Sequence, residues 1–224
     1  MEKVIGREKE INTLNQIINS KKAEFIVIYG RRRVGKTHLI QQYCSSVDVY
    51  MECTGIKDGS IHDQLSNFIE GIQNTFYPGI SLSVPKTWRD AFEILTKEIK
   101  KIHFSKKVIV FLDELPWLAK KRAKLLQHLD YYWNTQWKKL PNFKLIVCGS
   151  AASWMLEKLI NAKGGLYNRV TRSILLHPFT LEESKEFLES NGVRLTEKQV
   201  LDLYLVTGGI PFYLMQIQKS GCSA

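Results

Sequence analysis

Long apolar runs are missing from this 224-residue sequence. Wholly aliphatic and aromatic stretches reach about five residues, as in Val108 to Leu112, whereas a bilayer-spanning helix needs about 20. The opening, Met1 to Ile11, has no apolar h-region, so no signal peptide is expected. Cysteine is sparse. Cys44, Cys53, Cys148 and Cys222 form no C-x-x-C pair, and no histidine stands at zinc-finger spacing. Free thiols in a reducing cytoplasm fit this better than a secreted disulfide framework, and no membrane partner is expected. Internal repeats and low-complexity segments are absent. Composition is ordinary for a folded chain, with 44% hydrophobic, 24% charged and 11% aromatic residues, which excludes disordered and collagen-like classes. Acidic residues are the minority: 22 against 32 Lys and Arg, a formal charge of +10. That excess suits a polyanionic partner such as nucleotide phosphates, nucleic acid or anionic lipid, without choosing among them.

What is present is a regular alternation. Phe25–Tyr29, Val47–Met51, Val108–Leu112, Leu145–Cys148 and Ile174–Leu176 are short and rich in β-branched or aromatic residues, with little polar alternation. Strands of a buried parallel sheet have this pattern. Between them, Ile61, Leu65, Phe68, Ile69 and Ile72 share one helical face, as do Trp88, Phe92, Leu95 and Ile99. Repeated β-α units imply an α/β sheet with helices on both faces, and residues 78–85 read as a loop. After Pro178 the strands stop. Leu181–Glu189, Glu197–Val206 and Phe212–Gln218 read as short helices, the first opened by a capping box of Thr180 and Glu183. The expected division is a core at 1–178 and a small helical subdomain at 179–219.

One stretch carries specific chemistry: Gly30-Arg31-Arg32-Arg33-Val34-Gly35-Lys36-Thr37 fits G-x-x-x-x-G-K-[ST]. Two glycines let successive backbone N–H groups converge on a phosphate, and the following helix adds its positive end. Lys36 offers a point charge to the β and γ phosphates, and Thr37 a hydroxyl to Mg²⁺. Arg31, Arg32, Arg33, Val34 and His38 complete the expected nucleotide contacts. The loop follows an expected strand and precedes a helix, as a phosphate loop must. Its acidic counterpart is Asp113-Glu114, at the end of Val108–Leu112, where open α/β sheets place ligand groups. Asp113 is expected on Mg²⁺ and Glu114 on the water that attacks the γ phosphate. GTPases of this class carry Asp-x-x-Gly here and an Asn/Thr-Lys-x-Asp base reader later. Neither string is present.

These residues resemble the AAA+-like, STAND-type P-loop ATPases, most closely the standalone prokaryotic members. The matching strings are Ile5–Ile11, Gly30–Thr37, Leu112–Trp117, Cys148–Trp154, Leu166–Arg172 and Gly208–Phe212, which cover nearly the whole chain. The resemblance implies a three-layer sandwich whose five-stranded parallel sheet runs 5-1-4-3-2, with a helical lid. It implies that Ile5, Gly6 and Arg7 pack beside adenine, and that Gly209 and Pro211 approach the nucleotide. Ser150 stands at the family's polar sensor position, where many members carry Asn. Arg169 and Arg172 are candidates for the arginine that stabilises transition-state charge, in cis or from a neighbouring subunit. Members usually continue into a winged helix, so an output region beyond this chain, or a homo-oligomer, is implied.

Half of the basic residues fall in four groups: the phosphate loop, Lys97–Lys107, Lys120–Lys124 and Lys138–Lys144. Trp117, Tyr131, Tyr132, Trp133 and Trp137 lie among or near them. That pattern reads either as a nucleic-acid surface or as solvated helix faces with Trp133 and Trp137 packed inward. No helix-turn-helix, zinc-finger or ribonucleoprotein string is present. The leading expectation is an ATPase that hydrolyses Mg-ATP as a switch or assembly motor. The alternatives are a nucleic-acid-binding module with structural nucleotide and a P-loop small-molecule kinase.

Overall fold

The computed structural model describes residues 5–44, 46–161, 166 and 168–217. The chain opens with α1 (Glu8–Asn19), β1 (Glu24–Tyr29), α2 (Lys36–Cys44) and β2 (Val49–Thr54). Next come α3 (Ile61–Phe76), α4 (Trp88–Lys101), β3 (Val108–Asp113), a single turn α5 (Leu115–Leu118) and α6 (Leu125–Thr135). Then follow β4 (Phe143–Gly149), α7 (Ala152–Met155) running into a π-helical turn at Leu156–Ile160, and β5 (Arg172–Leu175). Three helices close the described chain: α8 (Leu181–Ser190), α9 (Glu197–Thr207) and α10 (Pro211–Leu214).

The five strands form one sheet in the order β2-β3-β4-β1-β5, every pair parallel. This is the expected order. Because strand side chains alternate, each strand feeds two cores. Phe25, Val27, Val108, Val110, Leu145 and Val147 face α3, α4 and α6, where Phe68, Trp88, Phe92, Tyr132, Trp133 and Trp137 pack edge to face and tilted. Ile26, Ile28, Ile109, Phe111, Ile146 and Cys148 face α1 and α2. The helices at the end of the chain have a small cluster of their own: Phe179, Leu188, Val193 and Leu214. The capping box at α8 forms, with Glu183 N–H donating to Thr180 Oγ1 (3.1 Å) and Thr180 N–H to Glu183 Oε2 (2.8 Å).

Three boundaries differ from the sequence reading. β2 runs from Val49 to Thr54 rather than 47–51, because its register on β3 pairs Val49 with Val108 and Thr54 with Asp113. β5 begins at Arg172, paired with Ile26 of β1, and ends at Leu175. The helix expected at 212–218 starts one residue earlier, at Pro211, and stops after one turn. Gln216 and Ile217 N–H groups donate to Tyr213 and Leu214 carbonyls, three residues back, which winds the chain too tightly for an α-helix. Gln218 and Lys219, the end of the expected subdomain, lie outside the described residues, as do Tyr167 and Cys222.

Candidate functional site

All five parallel strands point their carboxyl ends the same way, and the motif residues gather there. At the end of β1, Gly30 has φ +150°, and a Cβ on it would sit 2.3 Å from the Leu176 carbonyl oxygen. Only glycine permits that approach. The chain then curls through Arg33 (φ 68°) and Gly35 (φ 89°) into α2. Lys36, 6% exposed, donates from Nζ to the carbonyls of Gly30 (3.0 Å) and Arg31 (2.7 Å), so its ammonium is held inside the loop. Thr37 Oγ1 donates to Asp113 Oδ2 at 2.6 Å, joining the first turn of α2 to the end of β3.

Asp113 is buried, and its Oδ1 accepts the N–H of Glu114 (2.9 Å). Glu114 itself is left-handed, with φ 45° and ψ 50°. A non-glycine residue in that region costs about 1–3 kcal/mol, and such strain concentrates at functional sites. The surroundings impose it: Gly55 N–H donates to the Asp113 carbonyl (2.9 Å), and a Cβ on Gly55 would lie 2.7 Å from the Glu114 carbonyl. The Glu114 carboxylate is turned toward β4, where its Oε2 accepts from Ser150 N–H (3.2 Å) and Ser150 Oγ (3.0 Å). Cys148, two residues back on β4, is buried, and burial pushes its thiol pKa well up, with the Asp113 carboxylate adding to the effect. A hydroxyl and a carboxylate oxygen in contact are hard donors that suit Mg²⁺, which takes one or two protein ligands and fills its octahedron with water and phosphate oxygens. Among the described residues no cluster of three or more His, Cys, Asp or Glu competes as a metal site.

A second group borders the Gly30–Thr37 loop. Arg7 is 5% exposed and, like Gly6, left-handed (φ 64° and 63°). It donates from Nη2 to the Val34 carbonyl (3.1 Å), lies over the Phe179 ring (4.6 Å), and its N–H reaches Glu183 Oε1 (3.5 Å). Burial lowers its pKa from the ordinary arginine value, with Glu10 and Glu183 opposing the shift. Gly209 (φ 67°) presses on the same place: a Cβ there would meet the Phe179 carbonyl at 2.1 Å, and its own carbonyl accepts Phe179 N–H (2.8 Å). Pro211 is buried at the start of α10. Arg33 crosses to this side, donating from Nη1 to Tyr213 Oη (3.0 Å) with its guanidinium 4.5 Å from the Phe212 ring. Arg32 instead stacks on Trp117 (5.5 Å), while Arg31 and His38 are exposed. Gly6, Arg7, the loop and Gly209 therefore meet, and half-buried Ile5 adjoins them in sequence. Phe179, Glu183, Phe212 and Tyr213 join the cluster; Phe179 and Tyr213 carry no pattern of their own in the sequence, and Phe212 only ends the Gly208–Phe212 string. Glu183 was recognisable only as a cap.

Arg169 and Arg172 do not join it within one chain. Thr171 N–H donates to the Phe25 carbonyl and Arg172 pairs with Ile26, so this segment sits at the amino end of the sheet. Three residues separate Ile26 from Tyr29, roughly 10 Å of strand. The direction of β5 thus starts that strand, with Arg172, away from the loop within one chain. Tyr132, Trp133 and Trp137 are core residues, not a stacking surface. A polar recess of about 520 Å³ along β2 and α3, between Val47 and Thr75, is lined by no residue of the Gly30–Thr37 loop.

A parallel sheet whose first strand ends in this loop, with Asp113 facing it from β3, defines a P-loop nucleotide-binding fold. The chain belongs to a family of ATPase domains found predominantly in Archaea, whose model matches residues 5–217. It is 29% identical over 216 residues to an uncharacterized protein of Methanocaldococcus jannaschii, covering 96% of this chain and 44% of that protein. It is 25% identical over 227 residues to an uncharacterized ATP-binding protein of Pyrococcus abyssi, covering 94% and 68%. The chain thus spans under half the length of the first of these relatives. Among solved structures it is similar to a Walker-type ATPase of Pyrococcus abyssi, with TM-score 0.66, 21% identity, and 94% and 65% of the two chains covered. It is also similar to a signal transduction ATPase with numerous domains, carrying a tetratricopeptide repeat sensor, from Pyrococcus horikoshii. There the TM-score is 0.57 at 21% identity, with 100% and 31% covered. At that identity the likeness establishes the fold. The membership agrees with the AAA+-like, STAND-type resemblance read from the motifs. No described helix is long and apolar enough to cross a membrane.

Proposed function

We propose that this chain binds Mg-ATP at the Gly30–Thr37 loop and hydrolyses it, and that the bound nucleotide sets the position of a helical lid. The observation that carries this reading is the 2.6 Å contact between Thr37 and Asp113, which brings the loop onto the acidic strand end with Glu114 next in sequence. Backbone N–H groups from Gly30 to Lys36, with His38 at the rim, receive the phosphates. Lys36 exchanges its two carbonyl partners for β and γ phosphate oxygens, and Thr37 and Asp113 would hold Mg²⁺, which would supply positive charge against the phosphates. Glu114 accepts a proton from the attacking water once it leaves Ser150, and Ser150 then turns its hydroxyl to the γ phosphate or that water. Ile5, Gly6, Arg7, Gly209 and Pro211 border the base. An arginine in trans, Arg169 or Arg172 of a second copy, completes the site in a homo-oligomer.

Residues 1–178 form the ATPase core and 179–219 the lid in this reading. The separate cluster around Phe179 and Leu188, and the Arg33–Tyr213 bridge from loop to lid, support a switch driven by loop occupancy. The wider relatives' length supports an output region beyond this chain. Phosphate release from Mg-ATP, without an added acceptor, tests the reaction. Glu114→Gln keeps the shape and should bind ATP while hydrolysis falls by about 10²-fold or more. Wild-type turnover in that variant contradicts the assignment of Glu114. Release only with an added phosphoryl acceptor would mark a kinase instead.

A further inference from the structure

Three loops at the end of the sheet opposite the phosphate loop carry paired lysines. Residues before β1, β3 and β4 share this end because the strands are parallel and adjacent. They present Lys21 and Lys22, Lys106 and Lys107, and Lys138 and Lys139, with Lys100 and Lys101 at the last turn of α4. Lys107 is half-buried and the other seven are exposed. Of these eight, ion pairs are formed only by Lys22, 4.0 Å from Glu24, and Lys101, 2.6 Å from Glu98. Asp48 accepts the backbone N–H of Lys107 (2.9 Å). Two lysines use neutral partners, Lys107 on Asn19 Oδ1 (2.6 Å) and Lys100 on Gln136 Oε1 (2.6 Å).

The loops are tied together rather than splayed. Asn142 Nδ2 donates to the Lys106 carbonyl (2.8 Å), and Val108 N–H to the Asn142 carbonyl (3.0 Å). Buried Lys144 acts as a strut, donating to the carbonyls of Ser20 (3.0 Å) and Pro141 (3.3 Å) and to that of Lys22. Between the lysines stands Phe104, 71% exposed, with the His103 ring 4.2 Å from it. An aromatic this exposed gains nothing from the core. Beside fixed cations it offers a stacking face at the height of a charged backbone.

We propose that this amino-end surface binds single-stranded nucleic acid, the lysines taking backbone phosphates and Phe104 stacking on a base. It is independent of the ATP site. A bilayer fits less well, because Phe104 is the single large apolar side chain exposed in these three loops, not part of a contiguous inserting face.

Fluorescence anisotropy with labelled 20-nucleotide DNA and RNA strands over a salt series tests this. Wild type should bind with log K falling linearly against log salt. Each phosphate neutralised on a single strand contributes a slope of about 0.7, so replacing Lys21, Lys106, Lys138 and Lys139 with Ala should flatten the slope by up to about 3. Among the described residues these four side chains make no hydrogen bond or ion pair, so the thermal midpoint should stay within about 2 °C, of the order expected for neutral surface changes. Phe104→Ala should weaken binding roughly 5- to 150-fold with the salt slope kept. Saturating Mg-ATP should not displace the strand. The proposal is overturned by no binding at low salt, by binding untouched in the quadruple variant, by competition with ATP, or by affinity for phosphatidylserine vesicles without affinity for either strand.

Discussion

Arg7→Met probes the joint between the amino-terminal segment, the phosphate loop and the lid. The guanidinium is buried, bonded to the Val34 carbonyl at 3.1 Å and seated 4.6 Å over Phe179. Leaving that buried carbonyl without its donor costs about 1–3 kcal/mol. Losing a desolvated cation–π contact costs about 2 kcal/mol. Methionine keeps much of the apolar stem, so the cavity contribution is small. It also avoids the desolvation that lowers the arginine pKa, which brings the net loss to about 2–4 kcal/mol. For a chain of this size that is a fall of roughly 4–16 °C in Tm. Urea unfolding followed by tryptophan fluorescence measures it directly, and Phe179→Leu in a double-mutant cycle should show a coupling of about 0.5–2 kcal/mol. A loss under about 0.5 kcal/mol with no coupling refutes the reasoning, since surface arginines fall in that range.

Gly30→Ala should weaken both folding and ATP binding more than Gly35→Ala. A Cβ at Gly30 meets backbone at 2.3 Å, while one at Gly35 meets nothing within 4 Å and carries only the strain of φ +89°; equal effects in calorimetry and unfolding contradict this. Lys144 gives a pH signature. Burial lowers its pKa to about 8, against 10.5 ordinarily. Between those values the unfolded chain holds the proton that the folded chain has released, so stability relative to Lys144→Met should rise from about pH 8 to pH 10 and be flat below pH 7. A difference flat across that window contradicts it. Cys44 and Cys53 are buried, with thiol pKa values pushed up to about 12, so both should resist alkylation at pH 8 in the folded protein and react after unfolding; labelling in the native state contradicts this.

Local features were legible in the sequence. The Gly30–Thr37 loop, the strand ending at Asp113 and the Thr180 cap are each set within a few residues, and each forms where the pattern placed it. What depends on direction across the sheet was not. Arg172 carries the right side chain for the γ phosphate, yet β5 starts with it at the far end, and Arg169 lies three residues before it in the chain. Trp133 and Trp137 are four apart amid lysines, and only the packing of α6 on β1 and α4 shows that they are core. Phe104, a lone aromatic in a short loop, has no period and so no sequence signal. Arg7 was marked by resemblance, but its partners lie 27 and more than 170 residues away, beyond any local pattern.

The most direct test of the nucleotide site is a thermal scan with Mg-ATP, which needs no turnover and no partner. A ligand that binds only the folded state at 100 times its Kd adds about 2.7 kcal/mol, which for a chain of this length raises the midpoint by roughly 5–11 °C. Wild type and Glu114→Gln should both show that shift, Lys36→Ala should lose most of it, and Mg-GTP should give less. No shift in the wild type at millimolar Mg-ATP, or a full shift in Lys36→Ala, would contradict an ATP site at the Gly30–Thr37 loop.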